Sequence, residues 1–410
     1  MTDAQHALPL TSLVEPATQD EVIAHLRDGF AAATATYPIG GGTALDYGLP
    51  GREPGIGLRL SGLNRIVDYP DRDMTITVEA GITMAALAAE LARHGQRLPV
   101  DAADAEQATL GGMIATNFSG PRRFGYGTLR DYVIGISAVD GRGTPFKAGG
   151  RVVKNVAGYD LCKLLTGSLG TLAVITQVTL KVRPVAQSTA FLACHLSSWP
   201  QAEAQLAALV SSRTTPVAIE LSAGGGDGSP PAEAVATLLV GFEGNAAEVA
   251  WQLEQLELEW RESGLQPTSI ERFSPERAIT MWKELIDTPR DAPLVIKANV
   301  RPSAVTRFVQ LVLELEPKAR VRAHAGNGVI IAAFAEFSTA DAGRILVQRL
   351  QPAAVAADGS AVVWSCAAGE LTPQATWGAT TGGIELMRAV KRQFDPKGLL
   401  NPGRFVYGIA

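Results

Sequence analysis

Thr109-Leu-Gly-Gly-Met-Ile-Ala-Thr-Asn-Phe-Ser-Gly-Pro121 is the stretch whose reading decides the fold. It combines a glycine pair, a run of small residues and three side chains, Thr116, Asn117 and Ser119, that can hydrogen-bond. Small residues let a backbone approach a flat ring closely, and the polar ones can hold it there. Three other glycine-rich segments share the first half of the chain. Gly40-Gly-Gly-Thr-Ala44 follows a short apolar run, and consecutive glycines let successive N–H groups converge into an anion nest suited to a pyrophosphate. Gly125-Tyr-Gly-Thr-Leu-Arg-Asp131 comes next. The fourth, Val153-Lys-Asn-Val-Ala-Gly-Tyr-Asp-Leu-Cys162, runs on through Gly167-Ser-Leu-Gly170 to Ile175.

Around these segments the pattern is mixed. Thr18 and Glu21 have capping-box spacing before Val22, Ile23, Leu26 and Phe30, which predicts a helix. A second helix is predicted from Thr83 to Gly95. Strands are predicted at 58–60, 63–68, 75–80, 133–139 and 171–182. After Pro184, strands (217–221, 234–242, 294–300, 329–337, 361–366) alternate with amphipathic helices (246–262, 302–315, 340–350). That alternation predicts an antiparallel sheet with helices on one face, a ferredoxin-like α+β domain. The loop Ala223–Pro231 reads as a connector, and the turn-rich Phe394–Phe405 ends in an expected strand.

The chain has 410 residues, more than one core usually holds. The expected division is a first domain over 1–184, completed by 394–410, and a second over 185–393. A formal charge of −5 argues against nucleic-acid binding. Three dispersed cysteines, Cys162, Cys194 and Cys366, cannot hold an iron–sulfur cluster and suit a reducing cytosol. No signal-peptide pattern and no run of membrane-spanning length is visible, so membrane attachment would come through a partner. GxGxxG, GxxxxGK[ST], HExxH and GxSxG are all missing from the sequence.

In this order the four segments, with Asn401-Pro-Gly-Arg404 as a returning tail, resemble the FAD-binding domain of the vanillyl-alcohol oxidase and p-cresol methylhydroxylase (PCMH-type) flavoprotein family. The resemblance implies a two-lobed α+β FAD-binding domain. It implies that Gly40, Gly41, Gly42, Thr43 and Ala44 hold the pyrophosphate by their backbone. Leu110, Gly111, Gly112, Thr116, Asn117, Ser119 and Gly120 would line the pyrophosphate and isoalloxazine. Gly170 and the backbone of Val174 and Ile175 would support one end of the cofactor, and Asn401 would sit near the ring. Some relatives carry a flavin-linked histidine directly after the first glycine pair. Thr43 stands here, and none of His6, His25, His94, His195 and His324 falls in a glycine segment of the first domain, so FAD is expected to be non-covalent.

Within the family, Val153–Lys163 and the chain length look most like the FAD-binding E subunit of bacterial glycolate oxidase. That resemblance implies a heteromeric complex with a paralogous flavin subunit and an iron–sulfur subunit, turning glycolate into glyoxylate. Related 2-hydroxy-acid dehydrogenases carry a metal-binding GHxGDGNxH. Here Arg322-Ala-His-Ala-Gly-Asn-Gly-Val-Ile-Ile331 keeps His324 alone, with Asn327 for the aspartate and an apolar residue for the second histidine. Glu370 lacks a neighbouring histidine as well. No metal site is expected. Lys283, Lys297 and Arg301 are candidate carboxylate clamps, with Trp282 as a candidate wall. Three readings stand: a component of a glycolate-oxidising complex, a self-sufficient hydroxy-acid dehydrogenase, and a scaffold with a vestigial pocket. The intact glycine segments disfavour the third.

Overall fold

The computed structural model describes residues 8–151, 158–225, 230–231, 233–262, 264, 269–287, 289, 291–380 and 382–409. The first part of the Val153–Cys162 segment, the middle of the Ala223–Pro231 loop and His6 lie outside the described residues. The chain divides into two compact units. The first comprises 1–119, 128–185 and 380–410, and the second 120–127 and 186–379.

In the first unit, β1 (Leu10–Val14), β2 (Ala35–Ile39) and β3 (Gly55–Arg59) form a parallel sheet of order β1-β3-β2. The helix α1 (Gln19–Ala32) links β1 to β2. Thr18 caps it by accepting from Glu21 N at 3.2 Å, and Glu21 accepts from Ala17 N. A second, antiparallel sheet is built from β4 (Ile66–Asp68), β5 (Thr75–Glu79), β7 (Val133–Asp140), β8 (Pro145–Gly149) and β9 (Ala173–Lys181), in the order β4-β5-β9-β7-β8. The short β6 (Gln96–Arg97) pairs with β10 (Arg183–Pro184). Val22 and Leu26 from α1, Leu58 from β3, Val139 from β7, Val174 from β9 and Leu400 share one apolar cluster, which fuses the two sheets. Burying side chains of this size contributes about 1.5–3 kcal/mol each. The helix α2 (Met84–Arg93) starts at Thr83, whose hydroxyl accepts from Ala86 N.

The tail completes this unit. No strand forms at Phe394–Phe405; Leu400 makes an isolated parallel bridge with Thr36, and Val406–Gly408 is a 3-10 turn. The two prolines and glycines of the segment favour turns over a ladder. The helix Ile384–Phe394, which the sequence patterning missed, precedes it. Its Lys391 is buried and donates to Asp395 Oδ2 (2.6 Å), Thr171 O (2.8 Å) and Leu400 O (3.0 Å). Asp395 in turn accepts from Leu399 N and Leu400 N.

The second unit is one eight-stranded antiparallel sheet holding two copies of the same motif. The first copy is β11 (Ser188–Leu196), α4 (Trp199–Leu209), β12 (Ala218–Gly224), β13 (Ala236–Gly244), α5 (Ala246–Glu262) and β14 (Ser269–Arg272). After α6 (Pro275–Ile286) comes the second: β15 (Leu294–Asn299), α7 (Val305–Leu315), β16 (Arg320–His324), β17 (Val329–Phe334), a π-helix (Gly343–Leu350) continuing as α8 (Gln351–Ala356), and β18 (Ser360–Cys366). The sheet order is β14-β11-β13-β12-β16-β17-β15-β18. Each half is thus a βαββαβ ferredoxin-like unit, and the two join antiparallel through their second strands, β12 and β16. The doubling was not legible in advance because β11, α4, β14, α6 and β16 were not predicted. The helices α4, α5, α7 and α8 pack on one face, over a core that includes Phe242, Trp260, Phe308 and Phe334. The apolar stripe of α7 is spent in this core, whereas α5 leaves Trp251 and Leu258 exposed.

Candidate functional site

In the first unit, β2 delivers the chain to Gly40. A Cβ on Gly40 would lie 2.2 Å from Thr109 Oγ1, and one on Gly41 would lie 1.7 Å from Gln107 O. The 40–44 turn and the 107–112 segment therefore pass backbone against backbone, at a separation only glycine permits. Gly42 has φ +77°, the left-handed region. The second glycine segment, read as small-residue sequence, folds into the helix α3 (Leu110–Thr116). Thr109 Oγ1 accepts from Gly112 N, while Leu110 N and Gly111 N donate to Ile82 O and Ala80 O at 2.9 and 2.7 Å. These first helix donors are engaged by protein.

The far end of α3 meets the fourth segment. Gly167 N donates to Ile114 O and Leu169 N to Ala115 O, both at 2.9 Å. Asn117 ends the helix in the left-handed conformation, and its Oδ1 is buried with no protein partner; Ser168 Oγ is buried in the same way. A buried polar atom left unsatisfied costs about 1–3 kcal/mol, so both await a ligand donor or acceptor. Thr116 differs from its expected role as a free donor, because its hydroxyl donates to Gly112 O within α3. Asn401 Nδ2 donates to Leu169 O at 2.7 Å and its N–H to Thr36 O. Gly170 (φ +64°) would place a Cβ 3.0 Å from that amide. The structure thus brings Gly40–Ala44, Leu110–Asn117, Ser168–Gly170 and Asn401 into one neighbourhood of the first unit. Val174 and Ile175 are buried on β9, with Val174 in the core cluster, so only their backbone is available. Ser119 is buried, and Gly120 begins the segment that belongs to the second unit. Thr43 is half-buried.

Most of the described histidines have other partners: His25 with Thr36 (3.4 Å), His94 with Asp71 (3.2 Å) and His195 with Thr237 (2.9 Å).

In the second unit, sheet register places charged groups on the face away from α4, α5, α7 and α8. One row across the sheet reads Ser222, Arg322, Ile331, Lys297, Val362, and the next Glu220, His324, Val329, Asn299, Ser360. His324 Nδ1 lies 2.7 Å from Glu220 Oε2, with both side chains essentially buried (3% and 0% exposed). Lys297 Nζ sits 5.0 Å over the Trp364 ring, and burial, reinforced by Arg123, lowers its pKa to about 8. Burial likewise lowers that of Arg322, with Glu220 opposing; Arg322 Nη1 donates to Asp287 O at 3.0 Å. Residues 120–127 lie on this unit's sheet. Gly125 N donates to Val217 O, and the Phe124 ring is so near Gly326 that a Cβ there would be 2.4 Å away. Arg122 donates to Glu243 Oε1 from Nε and Nη2 and stacks 3.8 Å over Trp282. Trp282 is a packing anchor, 4.9 Å from Phe191. Lys283 is exposed, and Arg301 is exposed and paired with Asp358. Among the described residues no group of three or more His, Cys, Asp or Glu could hold a metal.

Sequence reasoning missed Glu220, Arg122, Glu243 and Ser168. The alternation Arg320-Val-Arg-Ala-His324 and the lone acid in Val217-Ala-Ile-Glu-Leu221 were the available signals.

The model of the FAD binding domain matches residues 11–149, and that of the C-terminal domain of FAD linked oxidases matches 372–405. Over these residues the chain matches the FAD-linked oxidases. It is an FAD-dependent oxidoreductase, and FAD is its cofactor. It is similar to a D-lactate dehydrogenase of Archaeoglobus fulgidus, 29% identical over 96% of this chain and 91% of that protein. Glycolate oxidase subunit GlcD of Bacillus subtilis is 25% identical over 96% and 88%. Glycolate oxidase subunit GlcE of Escherichia coli is 42% identical, over 29% of this chain and 34% of that protein. A solved structure of alkyldihydroxyacetonephosphate synthase shares the fold, with a TM-score of 0.70 at 19% identity over 95% of this chain and 75% of that one. Among the described residues no helix is long and apolar enough to cross a membrane.

Proposed function

We propose that this chain is the FAD-binding subunit of a glycolate oxidase complex, working with a paralogous flavin subunit and an iron–sulfur subunit to turn glycolate into glyoxylate. The observation that carries the cofactor assignment is the convergence of the 40–44 turn, Asn117, Ser168, Gly170 and Asn401 in the first unit, with buried Oδ1 and Oγ atoms awaiting partners. Gly40 to Ala44 hold the pyrophosphate by backbone N–H groups. Leu110 to Gly112 and Thr116 to Gly120 line the pyrophosphate and ring, Gly170, Val174 and Ile175 support one end, and Asn401 supports the ring side. With Thr43 after the glycines, the flavin is bound non-covalently. FAD supplies a two-electron acceptor; the protein excludes water from it and orients what approaches. The domain division at 184 and 394 follows the same plan, in a cytoplasmic protein whose membrane attachment, where present, is made by partners. Likeness to the GlcE and GlcD subunits supports the complex.

A second reading is that the chain itself oxidises a small 2-hydroxy acid. It is favoured by Lys297, Arg322 and the Glu220–His324 pair on one face of the second unit, and by near full-length likeness to a D-lactate dehydrogenase. A carboxylate is met by Lys297, whose burial beside Trp364 excludes competing water.

The visible spectrum of the purified chain tests both. A flavin spectrum, with all flavin released by acid precipitation, is the expected result; a colourless chain that does not take up added FAD refutes the assignment. Anaerobic glycolate or D-lactate that bleaches the flavin of the isolated chain favours the second reading. An unchanged band, bleached only when partner subunits are added, favours the first.

A further inference from the structure

Arg404, the last residue of the Asn401–Arg404 segment, is a cation buried to 6% exposure. Its Nη2 donates to Leu45 O at 2.6 Å and to Tyr47 O at 2.8 Å. Backbone bonds tie the same two stretches, because Leu49 N donates to Arg404 O and Arg52 N to Pro402 O, at 3.0 and 3.1 Å. A Cβ on Gly48 (φ +101°) would stand 2.7 Å from Arg404 O, so only glycine lets the chain pass there. All of these residues belong to the first unit. Leu45 directly follows the Gly40–Ala44 turn, and Tyr47 N donates back to Ala44 O at 3.3 Å. A peptide unit is planar and trans, so carbonyls of Leu45 and Tyr47 drawn to the guanidinium turn the N–H groups of Asp46 and Gly48 to the opposite side. One side chain of the tail thus sets the orientation of the backbone just past the glycines.

A clasp between carbonyls needs only a neutral donor, and Arg404 brings a charge as well. Burial lowers its pKa to about 10, with Tyr37 and the exposed Asp46 opposing. A charge taken out of water and bonded to neutral carbonyls is costly, which calls for an anion that compensates it. The diphosphate of FAD is such an anion. Gly42 precedes Leu45 by three residues, at most roughly 11 Å of chain. That is close to the screening length of about 8–10 Å in ordinary salt, and screening is weaker inside a protein.

We propose that Arg404 is a positioning residue for the FAD diphosphate, holding the backbone that follows Gly40–Ala44 and supplying the compensating positive charge, and that it thereby favours flavins with an ADP half over riboflavin. The proposal rests on the reading that the 40–44 turn holds the pyrophosphate. Arg404 acts through the carbonyls of Leu45 and Tyr47 and through its field, without touching a phosphate. The tail keeps its place without this side chain, because Asn401 donates to Leu169 O and Thr36 O on its own account.

The test uses the full chain stripped of flavin and two variants. Arg404→Lys keeps the charge, and Arg404→Gln keeps an N–H donor but loses the charge. Thermal unfolding without flavin checks that each is folded, and calorimetric titrations with FAD, ADP and riboflavin give the affinities. Arg404→Gln is expected to bind FAD and ADP roughly 10–100-fold more weakly, with riboflavin changed by less than about 2-fold. Arg404→Lys is expected to stay within about 5-fold of the wild type for all three. Added salt should weaken FAD binding more steeply in the wild type than in Arg404→Gln. Equal losses for FAD and riboflavin in Arg404→Gln reduce the residue to a clasp and overturn the proposal, as does wild-type FAD affinity in that variant. Should Arg404→Gln not fold, the wild type decides, because FAD affinity indifferent to salt overturns the role of the charge. Gly41→Ala separates the two readings. If it leaves FAD affinity untouched, the reading of the turn falls and the proposal with it. If it weakens FAD while Arg404→Gln does not, the turn stands and the role of Arg404 alone is overturned.

Discussion

Replacing Lys391 by Met should open the first unit at its tail. The ammonium is 3% exposed and joins a carboxylate that is 0% exposed to two backbone carbonyls, Thr171 O and Leu400 O. Met fills much of the same volume but leaves Asp395 without its counter-charge and both carbonyls without this donor. Removing one member of a buried pair costs about 3–5 kcal/mol. Asp395 keeps the N–H groups of Leu399 and Leu400, which places the cost toward the lower end of that range. For a unit of this size each kcal/mol moves the midpoint by about 2–4 °C, so a fall of roughly 6–12 °C is expected. The assay is differential scanning calorimetry with and without added FAD, because the transition belonging to the first unit is the one that FAD raises. The second-unit transition should stay in place. The double variant Lys391→Met/Asp395→Leu should recover only part of the loss, since the leucine gives nothing to the two N–H groups. A fall of under about 2 °C in the FAD-sensitive transition would refute the reasoning, because no buried ion pair of this geometry could be so cheap to break.

Three further outcomes are expected. Gly41→Ala, whose methyl would collide with Gln107 O, should strain the 40–44 turn by about 1–3 kcal/mol and weaken FAD retention roughly 5–150-fold. Gly343→Ala, which has open space around it, should leave FAD content unchanged in the same measurement. Arg122→Ala should shift urea unfolding of the second unit by about 3 kcal/mol or more, as Glu243 loses its partner and Trp282 its stacked guanidinium; Arg122→Lys should not rescue the stacking part. Affinity for pyruvate should fall as pH rises through about 8, where Lys297 gives up its proton, and Lys297→Met should abolish that dependence. The linked effect on stability runs the other way. The folded pKa lies below the ordinary lysine value, so the penalty of burying the charge is absent above the unfolded pKa and grows as pH falls toward about 8.

Much of the first unit was legible because its signals are local. Thr18, Thr83 and the glycine segments act through their own backbone or through a partner that only glycine can approach, and such constraints leave a mark at a fixed spacing. What the sequence hid was long-range. Thr116 looked like a free donor because its bond to Gly112 exists only once α3 has formed. The turn-rich Phe394–Phe405 tail was expected to end in a strand, yet it pairs with β2 only through the isolated bridge of Leu400 to Thr36. In the second unit, β16 was read as a degraded metal motif, so its alternation was overlooked, and with it the pairing to β12. Glu220 and His324 are far apart along the chain and acquire meaning only through that register.

The tail that closes the first unit has a consequence for synthesis. Thr36 N donates to Leu399 O and Asn401 N to Thr36 O, so an early strand waits for residues made after the whole second unit. All of 186–379 must be translated in between, which at about 5–20 residues per second takes roughly 10–40 s. During that interval the glycine turn and α3 exist on the ribosome without Asn401 or Lys391, and the ferredoxin-like halves can fold first. Closure of the flavin pocket therefore waits for residues 391–401 to emerge, and a translation stall soon after residue 379 yields a chain with a finished second unit and no closed flavin pocket.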